Sequence, residues 1–267
     1  MGSLTSKRAL VIGASGRENM AQSIARRFVA EGARVLVAGR RADELKRFAH
    51  EIGGLWHLCD INVRSDSLNL VESARERLGG IDIVVNAVGI NVLKPFEQTT
   101  EEELRRLADA HFIGPFMFFQ AVLGAMDNGG SIIQISSATA TIMLNDHAAY
   151  MGTKAGLDHV IRCIANEFGH RGIRANSISP GITVSPMTAA AQQIPGLWEA
   201  YRSRYPLGRT GTSEDVADAA VWLSQDSCFM TGQNLQVNGG LTLRGNPSRE
   251  EVDAAVTQAT GKPRHKH

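Results

Sequence analysis

Short apolar runs rich in β-branched residues alternate along the chain with longer segments whose apolar residues recur at helical spacing. A typical helical segment is ADELKRFAHEIG at residues 42–53, in which one face is apolar. Several of the short runs are apolar throughout, as strands are in a parallel sheet that is covered on both faces. The runs that predict strands are ALVIG, RVLVAG, LWHLC, IDIVVNAVG, GSIIQISS, IRANSIS and NLQVNGG.

This alternation predicts one α/β domain. Strand, crossover helix and strand follow one another about six times, which indicates a single-domain, Rossmann-like, doubly wound parallel sheet of about seven strands flanked by helices. We place this domain at residues 1–245. An interruption at about 182–212 follows a strand, where an insertion would cover the ligand crevice of such a sheet. Residues 246–267 are expected to form an extension, either a mobile tail or a lid or partner element.

Composition and charge argue against nucleic-acid binding, membrane association and a metal site. The 267 residues carry a formal net charge of +1, with basic side chains spread along the chain, so we expect neither a nucleic-acid partner nor a membrane surface. Cys59, Cys163 and Cys228 lack metal-ligand spacing, so reduced thiols, no metal site and a cytoplasmic location are expected. No signal peptide is recognised, and no apolar run is expected to reach the length of a membrane span.

The segment LVIGASGRENMAQSIARRF at residues 10–28 has the strand–loop–helix order of a dinucleotide-binding turn. Arg17 and Asn19 stand where two of the three glycines of the usual fingerprint would be. Gly13 can form the tight turn, and Asn19 tolerates unusual backbone angles. The free N–H groups at the start of the following helix can hold a phosphate, with the charge of Arg17 beside it. The loop has therefore either lost a cofactor or holds one differently.

Five further motifs follow in order. They are NAVG at 86–89, IIQISS ending at Ser137, YMGTK with Tyr150 and Lys154, ISPG ending at Gly181, and a segment from Gly208 to Gly240. In this order and spacing, the motifs resemble the short-chain dehydrogenase/reductase family over about residues 6–243. The resemblance implies an oxidoreductase that acts on CH–OH groups with a nicotinamide cofactor, which itself carries the hydride. The altered glycine loop would then hold the cofactor in a variant form known in this fold family.

The catalytic prediction centres on Tyr150 and Lys154. They are four residues apart, so both project from one face of a helix. A free tyrosine has a pKa near ~10, and a nearby ammonium is expected to lower it by favouring the phenolate. Tyr150 is therefore the predicted general acid or base at the reacting oxygen. The resemblance implies that Lys154 also binds the nicotinamide ribose and that Ser137 hydrogen-bonds the reacting oxygen.

Two features depart from the family pattern. His111 stands where the family has an asparagine that fixes a water in a proton relay. A histidine can donate, accept and titrate, so His111 either keeps the relay as a catalytic residue or is a core residue. The glycine loop resembles that of the divergent enoyl-reductase branch, but that branch places its tyrosine where this chain has His147. The spacing of Tyr150 and Lys154 therefore favours alcohol and ketone chemistry over enoyl reduction.

The end of the second strand, VAGRR, bears on the cofactor. Gly39 occupies the position of the acid that binds the ribose of NAD, and Arg40 follows it. An arginine can pair with a 2′-phosphate, which favours NADP(H), with NAD(H) as the alternative. The resemblance implies that Asp60 contacts the adenine, Asn86 lines the ribose side and the region from Ile182 to Ser185 meets the carboxamide. The predicted cofactor-binding residues are Gly13, Ser15, Arg17, Asn19, Met20, Arg40, Asp60, Ile61, Asn86, Ala87, Gly89, Tyr150, Lys154, Pro180, Gly181, Ile182 and Ser185.

The substrate pocket is expected to be lined by residues 138–146 and 187–205, which are mainly apolar and show no charged cluster. They favour a small apolar ketone or secondary alcohol, aromatic or alicyclic, although apolar residues at this spacing also serve as simple lid packing. A 3-oxoacyl thioester of an acyl carrier protein or coenzyme A is the alternative substrate. A catalytically silent, NADP-binding regulator is the alternative of another class. The predicted substrate contacts are Met143, Leu144, Met187 and Trp198, with Ile194, Leu197 and Tyr201 beside them.

The resemblance also implies an assembly. Helices at 100–126 and 149–169 commonly form a dimer interface in the family, and the segment CFMTGQNLQVNGG at 228–240 forms a second contact. A homotetramer is therefore expected, or a homodimer.

Overall fold

A central parallel sheet dominates the part of the chain that the computed structural model describes, residues 2–127 and 129–263. The strands are β1 (Arg8–Ile12), β2 (Arg34–Gly39), β3 (Leu55–Leu58), β4 (Ile83–Asn86), β5 (Gly130–Ile135), β6 (Ile173–Pro180), β7 (Thr183–Val184), β8 (Gly211–Thr212) and β9 (Asn234–Val237). Within these described residues the sheet has seven strands in the order β3-β2-β1-β4-β5-β6-β9, and β7 pairs with β8 outside it. The predicted α/β class and doubly wound sheet are confirmed.

The strand bounds follow the apolar runs of the sequence. β2 has the predicted limits, and its Val35–Gly39 segment is buried, as both faces of the sheet are covered. β4 is shorter than its predicted run, residues 81–89. It ends at Asn86, because the side-chain Oδ1 of this residue accepts the N–H of Val88 at 3.1 Å and turns the chain out of the sheet.

Helices cover both faces of the sheet. Their bounds are α1 (Met20–Ala30), α2 (Ala42–Ile52), α3 (Arg64–Leu78), α4 (Glu101–Ala108), α5 (Gly114–Ala125), α6 (Ala148–Phe168), α7 (Ala189–Gln192), α8 (Leu197–Arg202), α9 (Ser213–Ser224), α10 (Leu241–Arg244) and α11 (Arg249–Thr260). One core packs α1, α2 and α9 on the sheet and includes Phe28 and Phe48. The other core packs α3, α5 and α6 on the opposite face and includes Leu70, Phe118 and Leu157.

A π-helical turn at Asp109–Ile113 joins α4 and α5 into one helix. The joined helix, Glu101–Ala125, has 25 residues and a window of mean hydropathy 1.2, so by length and composition alone it could cross a membrane. The expectation that no run reaches this length is therefore wrong. Half of the window is buried inside the protein, however, and the helix begins with three glutamates. A core helix with these properties passes the same test, so this observation is weak support for a span.

Strand β1 pairs in parallel with both β2 and β4, and the direction in which successive strands are added to the sheet reverses between β1 and β4. In an open α/β sheet, such a switch point leaves a crevice beyond the carboxyl ends of the strands. The segment at 182–212 folds over this crevice as β7, α7, α8 and β8. The chain then returns through α9 and β9 to α10, and α11 follows in the extension.

Candidate active site

A cleft of about 1180 Å³ lies at the carboxyl ends of the strands. The loops after β1, β2, β4, β5 and β6 contribute to its walls, which explains why motifs far apart in sequence meet there. Of the residues predicted to bind a cofactor, these line the cleft: Gly13, Ser15, Asn19, Met20, Arg40, Asp60, Ile61, Ala87, Gly89, Tyr150, Lys154, Pro180, Gly181, Ile182 and Ser185.

Gly13 has the backbone conformation and the surroundings that only glycine satisfies. Its φ is +106°, and a Cβ there would lie 2.7 Å from the carbonyl carbon of Ala87. The loop after β1 therefore passes directly against the loop after β4. This close approach leaves the floor of the cleft free of side chains, as a pyrophosphate needs.

In place of the missing glycines, the side chains of Asn19 and Gln22 hold the loop in shape through hydrogen bonds. Asn19 caps α1: its Oδ1 accepts the N–H of Gln22 at 3.1 Å, and its Nδ2 donates to the carbonyl of Gly13 at 2.7 Å. The side chain of Gln22 is fully buried. Its Nε2 donates to the carbonyl of Ala14 at 3.0 Å, and its Oε1 accepts the N–H of Glu18 at 3.0 Å. These hydrogen bonds close the loop into a fixed shape in front of the α1 N-terminus.

The sequence analysis did not single out Gln22. Gln22 lies in the first turn of α1, two and six positions before Ile24 and Phe28 of the core, so helical spacing did not mark it as a buried residue. A buried amide at such a position needs hydrogen-bond partners, and the loop supplies them. The altered glycine loop is thus an ordered cradle, and its residues fit a dinucleotide.

The residues at the end of β2 are those predicted to distinguish the ribose of NAD from that of NADP. A Cβ on Gly39 would collide with the hydroxyl of Ser15. That hydroxyl accepts the N–H of Arg41 at 3.1 Å, and the guanidinium of Arg41 is bonded to the Ser15 carbonyl. Arg40 is different, because its side chain is 65% exposed and its nearest anionic partner, Asp60, is 3.9 Å away.

Two residues predicted to bind the cofactor, Asn86 and Arg17, do not line the cleft. Asn86 is fully buried and does not line the cleft: its Nδ2 donates to Gln134 at 2.7 Å while its Oδ1 holds the loop after β4. Its side chain therefore fixes the loop after β4 from within the core. Arg17 is exposed beside the loop and is also outside the cleft lining.

Tyr150, Lys154 and Ser137 come together at the bottom of the cleft. Ser137 follows β5, and the other two lie on the first turns of α6. The Nζ of Lys154 donates to the carbonyl of Ile135 at 2.9 Å and lies 5.7 Å from the centre of the Tyr150 ring. The hydroxyl of Ser137 is 2.9 Å from that of Thr139. The predicted grouping of a phenol, an ammonium and a hydroxyl is therefore present.

Burial has the largest effect on the pKa values of Tyr150 and Lys154. It raises the pKa of Tyr150, and a hydrogen bond from Ser137 acts in the opposite direction. The expectation that Lys154 lowers this pKa is not met, because desolvation of the phenolate outweighs the other effects. Burial lowers the pKa of Lys154 to about 8, opposed by the charge of Asp158. Asp158, one helical turn after Lys154 and buried, is a residue that the sequence analysis missed, although its spacing of four was visible.

His111 is buried beneath the cleft and does not line it. Its Nε2 accepts the N–H of Ile90 at 3.0 Å. Its Nδ1 lies 3.2 Å from the hydroxyl of Thr153, whose single proton is donated to the carbonyl of Tyr150. The hydrogen-bond network therefore assigns the ring proton to Nδ1. Burial and the charge of Lys154 lower the pKa of His111 to about 3.

Of the two interpretations of His111, this arrangement favours a core residue over a proton relay. Both ring nitrogens are engaged by the protein, and the lowered pKa favours the neutral ring at physiological pH. His111 ties the π-helical turn at Asp109–Ile113 to the loop after β4 and to α6. It is a positioning residue for Tyr150, whose ring lies 5.3 Å away in an edge-on orientation.

Comparison with known proteins agrees with this geometry. A family model described as enoyl-(acyl carrier protein) reductase matches residues 13–242. A glucose 1-dehydrogenase of Gluconobacter oxydans is 32% identical over 90% of this chain and 93% of its own. A 3beta-hydroxysteroid dehydrogenase of Eggerthella lenta is 35% identical over 90% of this chain and 95% of its own. The structure of a short-chain type dehydrogenase/reductase from Mycobacterium ulcerans superposes with a TM-score of 0.88 at 30% identity, covering 96% of this chain and 98% of that one.

The protein is a short-chain dehydrogenase/reductase. Members of this family use NAD(P)(H), and the dehydrogenases similar to this chain act on alcohols. The description of the matching family model names an enoyl reductase, but the site residues of this family member have the four-residue Tyr150–Lys154 spacing. At the position that the enoyl-reductase branch gives to its tyrosine, this dehydrogenase/reductase has His147, whose ring lies 6.1 Å from that of Tyr150.

The outer part of the cleft of this dehydrogenase/reductase differs from the expectation at two positions. Leu144, Met187, Ile194, Leu197 and Tyr201 line it as predicted. Met143 and Trp198 do not. Met143 points to solvent, with 73% of its surface exposed, and Trp198 packs into a small cluster between α8 and α11. Adjacent residues of a helix face different sides, so Trp198 cannot share the cleft face of Leu197.

Asn145 and Asp146, in the expected segment 138–146, line the cleft. Polar residues outside the expected segments also line it, from the start of α6 and from the extension: His147, Asn246, Ser248 and Arg249. Nothing in a linear pattern brings residue 249 next to residue 146, so this part of the site required the tertiary structure.

The lowered pKa of Lys154 predicts a pH effect on the stability of this dehydrogenase/reductase. In the unfolded chain the lysine titrates near 10.5, and in the folded protein near 8. Between these values the unfolded state binds more protons, so the free energy of unfolding is expected to rise with pH across this window. In Lys154→Met this contribution disappears. Denaturant titrations at several pH values measure it.

The control for this prediction is Lys46→Met, which removes an exposed lysine and should leave the wild-type slope unchanged. Equal slopes in wild type and Lys154→Met would show that the folded-state pKa of Lys154 is not lowered.

Proposed function

We propose that the protein transfers a hydride between NADP(H) and the carbonyl or secondary alcohol of a mainly apolar small molecule. The observation that carries this proposal is the convergence of Tyr150, Ser137 and Lys154 at the bottom of a cleft whose other end is formed by the loop after β1. The phenol of Tyr150 is the one of these groups suited to exchange a proton with the reacting oxygen at this site.

The bound nicotinamide supplies or accepts the hydride. In the direction of reduction, the phenol of Tyr150 donates its proton to the carbonyl oxygen; in oxidation, the phenolate accepts the proton of the alcohol. The raised pKa of Tyr150 keeps the phenol protonated and ready to donate. The hydroxyl of Ser137 stabilises the developing charge on the oxygen. Lys154, held by the Ile135 carbonyl, would bind the nicotinamide ribose, the role that the resemblance to the family implies.

The preference for NADP(H) is supported by charge at the end of β2. Gly39 leaves no acid to accept hydrogen bonds from a ribose 2′-hydroxyl. The exposed guanidinium of Arg40 lines the cleft there, with only a long contact to Asp60, and is free to pair with a 2′-phosphate.

The substrate class is supported by the lining of the outer cleft and by relatives. Leu144, Met187, Ile194 and Leu197 give this part of the cleft an apolar surface. Two similar dehydrogenases are named for glucose and for a 3β-hydroxysteroid, each a ring compound that carries hydroxyl groups. We therefore propose an alicyclic alcohol or ketone as the substrate.

We also propose an oligomeric state and a cytoplasmic location for the protein. Leu104, Phe112 and Phe116 expose apolar surface along the joined helix α4–α5, and Trp222 and Phe229 do so on the other side of the fold. Covering both surfaces by copies of the chain would give the homotetramer, and covering one would give a homodimer. The three cysteines are free thiols, which fits the proposed cytoplasmic location.

A fluorescence titration with NADPH and NADH, followed by a panel of ketones and secondary alcohols, tests the proposed function. Wild type is expected to bind NADPH more tightly and to turn over alicyclic members of the panel. Gly13→Ala is expected to lose binding because its Cβ meets the backbone of Ala87. The matched control is Gly53→Ala, which has a positive φ of 63° but nothing within 4 Å.

The possible results separate the alternatives. NADPH binding without turnover of any substrate would favour the silent regulator. Turnover of 3-oxoacyl thioesters alone would replace the proposed substrate class. Binding of neither cofactor would overturn the proposal.

A further inference from the structure

The extension after residue 245 is docked on the segment at 182–212 that covers the cleft, which we call the lid. Val252 and Val256 of α11 are buried against Leu197 and Ala200 of α8. This cluster is separate from the two cores that flank the sheet. Helices α8 and α11 therefore form one packed unit above the cleft. Helix α8 lies within the region matched by the family model, whereas α11 lies beyond its end at residue 242.

Gly196 permits this docking. Its φ is +81°, and a Cβ on it would collide with the carbonyl oxygen of Ala255 in α11. The backbone of the lid and the backbone of α11 thus lie in direct contact at this point. The sequence of the lid is adapted to a helix that only the extension provides.

The start of the extension is fastened to the segment that leads into the catalytic helix. The guanidinium of Arg249 forms an ion pair with Asp146, four residues before Tyr150. The Nδ2 of Asn246 donates to the carbonyl of Met143 at 2.9 Å. Asp146 is itself fixed, because its carbonyl accepts the N–H of Lys94 at 2.7 Å and its backbone holds a left-handed φ of 63°.

The extension also contributes to the cleft surface. Asn246, Ser248, Arg249 and Val252 line it, together with Leu144 and His147 from the segment that leads into α6. The ion pair of Arg249 with Asp146 joins the extension to this segment at the cleft surface.

We propose that the C-terminal extension is the outer wall of the substrate cleft, and that the Arg249–Asp146 pair makes the enzyme selective for compact substrates. A small ring ketone fits behind the closed wall. A 3-oxoacyl thioester must lead its long pantetheine arm out of the cleft, and the wall obstructs this exit. This inference rests on the proposed function and narrows its substrate class.

The test compares two kinds of substrate in wild type and in variants of the wall. The probes are the best compact ketone of the panel and acetoacetyl coenzyme A. Arg249→Gln is expected to raise KM for the ketone about two- to five-fold, as the loss of a partly exposed ion pair would, with kcat and NADPH affinity little changed. The KM for the thioester should fall. Asp146→Asn, which keeps a residue that tolerates left-handed φ, should change both KM values in the same way. The double variant should show changes in KM no larger than those of either single variant.

Gly196→Ala separates α11 from the lid. It should raise the KM for the ketone and lower the KM for the thioester, each by more than Arg249→Gln does. Its matched control is Gly208→Ala, also in the lid at a positive φ of 70° but with nothing within 4 Å, which should keep the wild-type preference. Unchanged KM ratios in both Arg249→Gln and Gly196→Ala would overturn the inference. So would additive effects of Arg249→Gln and Asp146→Asn.

Hydrogen exchange of the intact protein gives a readout that does not need activity. In Arg249→Gln, exchange is expected to accelerate together in residues 249–256 and 143–149, while the central sheet keeps wild-type protection. If wild type binds NADPH but turns over no substrate, the proposed function fails, and this exchange pattern still decides whether the extension is the wall. Unaltered exchange in both segments would show that it is not.

Discussion

Replacing Tyr150 by phenylalanine is expected to lower kcat by about 10²–10⁴-fold, the usual contribution of a positioned general acid or base. The substitution removes one oxygen atom and keeps the ring that packs edge-on against His111. The cradle formed by Gly13, Asn19 and Gln22 lies at the other end of the cleft and is untouched. Cofactor affinity and thermal stability should therefore stay close to wild type, and steady-state kinetics beside an NADPH titration would measure both.

The titration is the control for this variant, because it shows that the protein is folded and loaded when turnover is lost. Turnover near the wild-type rate in Tyr150→Phe would assign the proton transfer to another group. In that case His147, which lines the same part of the cleft, would be the next residue to replace.

Replacing Arg40 by aspartate is expected to weaken NADPH binding relative to NADH by about 10- to 100-fold, the value of a hydrogen-bonded charge pair. Arg40 is 65% exposed and has only a long contact with Asp60, so its removal disturbs little else in the protein. The new carboxylate would repel a 2′-phosphate and can accept hydrogen bonds from a 2′-hydroxyl. Dissociation constants for both cofactors, measured at one salt concentration, give the ratio.

Arg75→Asp is the matched control, since it makes the same change in charge on α3, at a side chain that is 54% exposed and outside the cleft. It should leave both affinities as in wild type. An unchanged NADPH to NADH ratio in Arg40→Asp would be evidence against NADP(H) as the preferred cofactor.

The sequence was sufficient for the fold and for the centre of the site. Buried parallel strands need runs of apolar residues, and the runs of this chain end within a few residues of the observed strands. Tyr150 and Lys154 could be placed on one face of a helix from their spacing, whereas Ser137 was singled out by the resemblance of its motif to the family. The strand positions could be predicted because they depend on local periodicity, and the three residues meet because strand ends lie at one edge of the sheet.

The remaining features depend on contacts between distant segments. The neutral state of His111 follows from its burial and from the proton of Thr153, which no pattern shows. Asn86 was predicted to line the ribose side of the cleft, but it is buried and hydrogen-bonded to Gln134 of the neighbouring strand. The contribution of Arg249 to the cleft required the docking of α11 on α8. Charge states, side-chain direction and the packing of the extension therefore came from the structure.

The contact between Gly39 and the Ser15 hydroxyl restricts the order in which substitutions at the cofactor site can be made. An acid at position 39 is the simplest change that would suit NAD, yet its Cβ has no room while Ser15 keeps its side chain. The space must first be opened at position 15, which also releases the N–H of Arg41. Cofactor preference in this chain is thus a property of two coupled positions, and a path that alters them one at a time passes through an intermediate with a weakened loop.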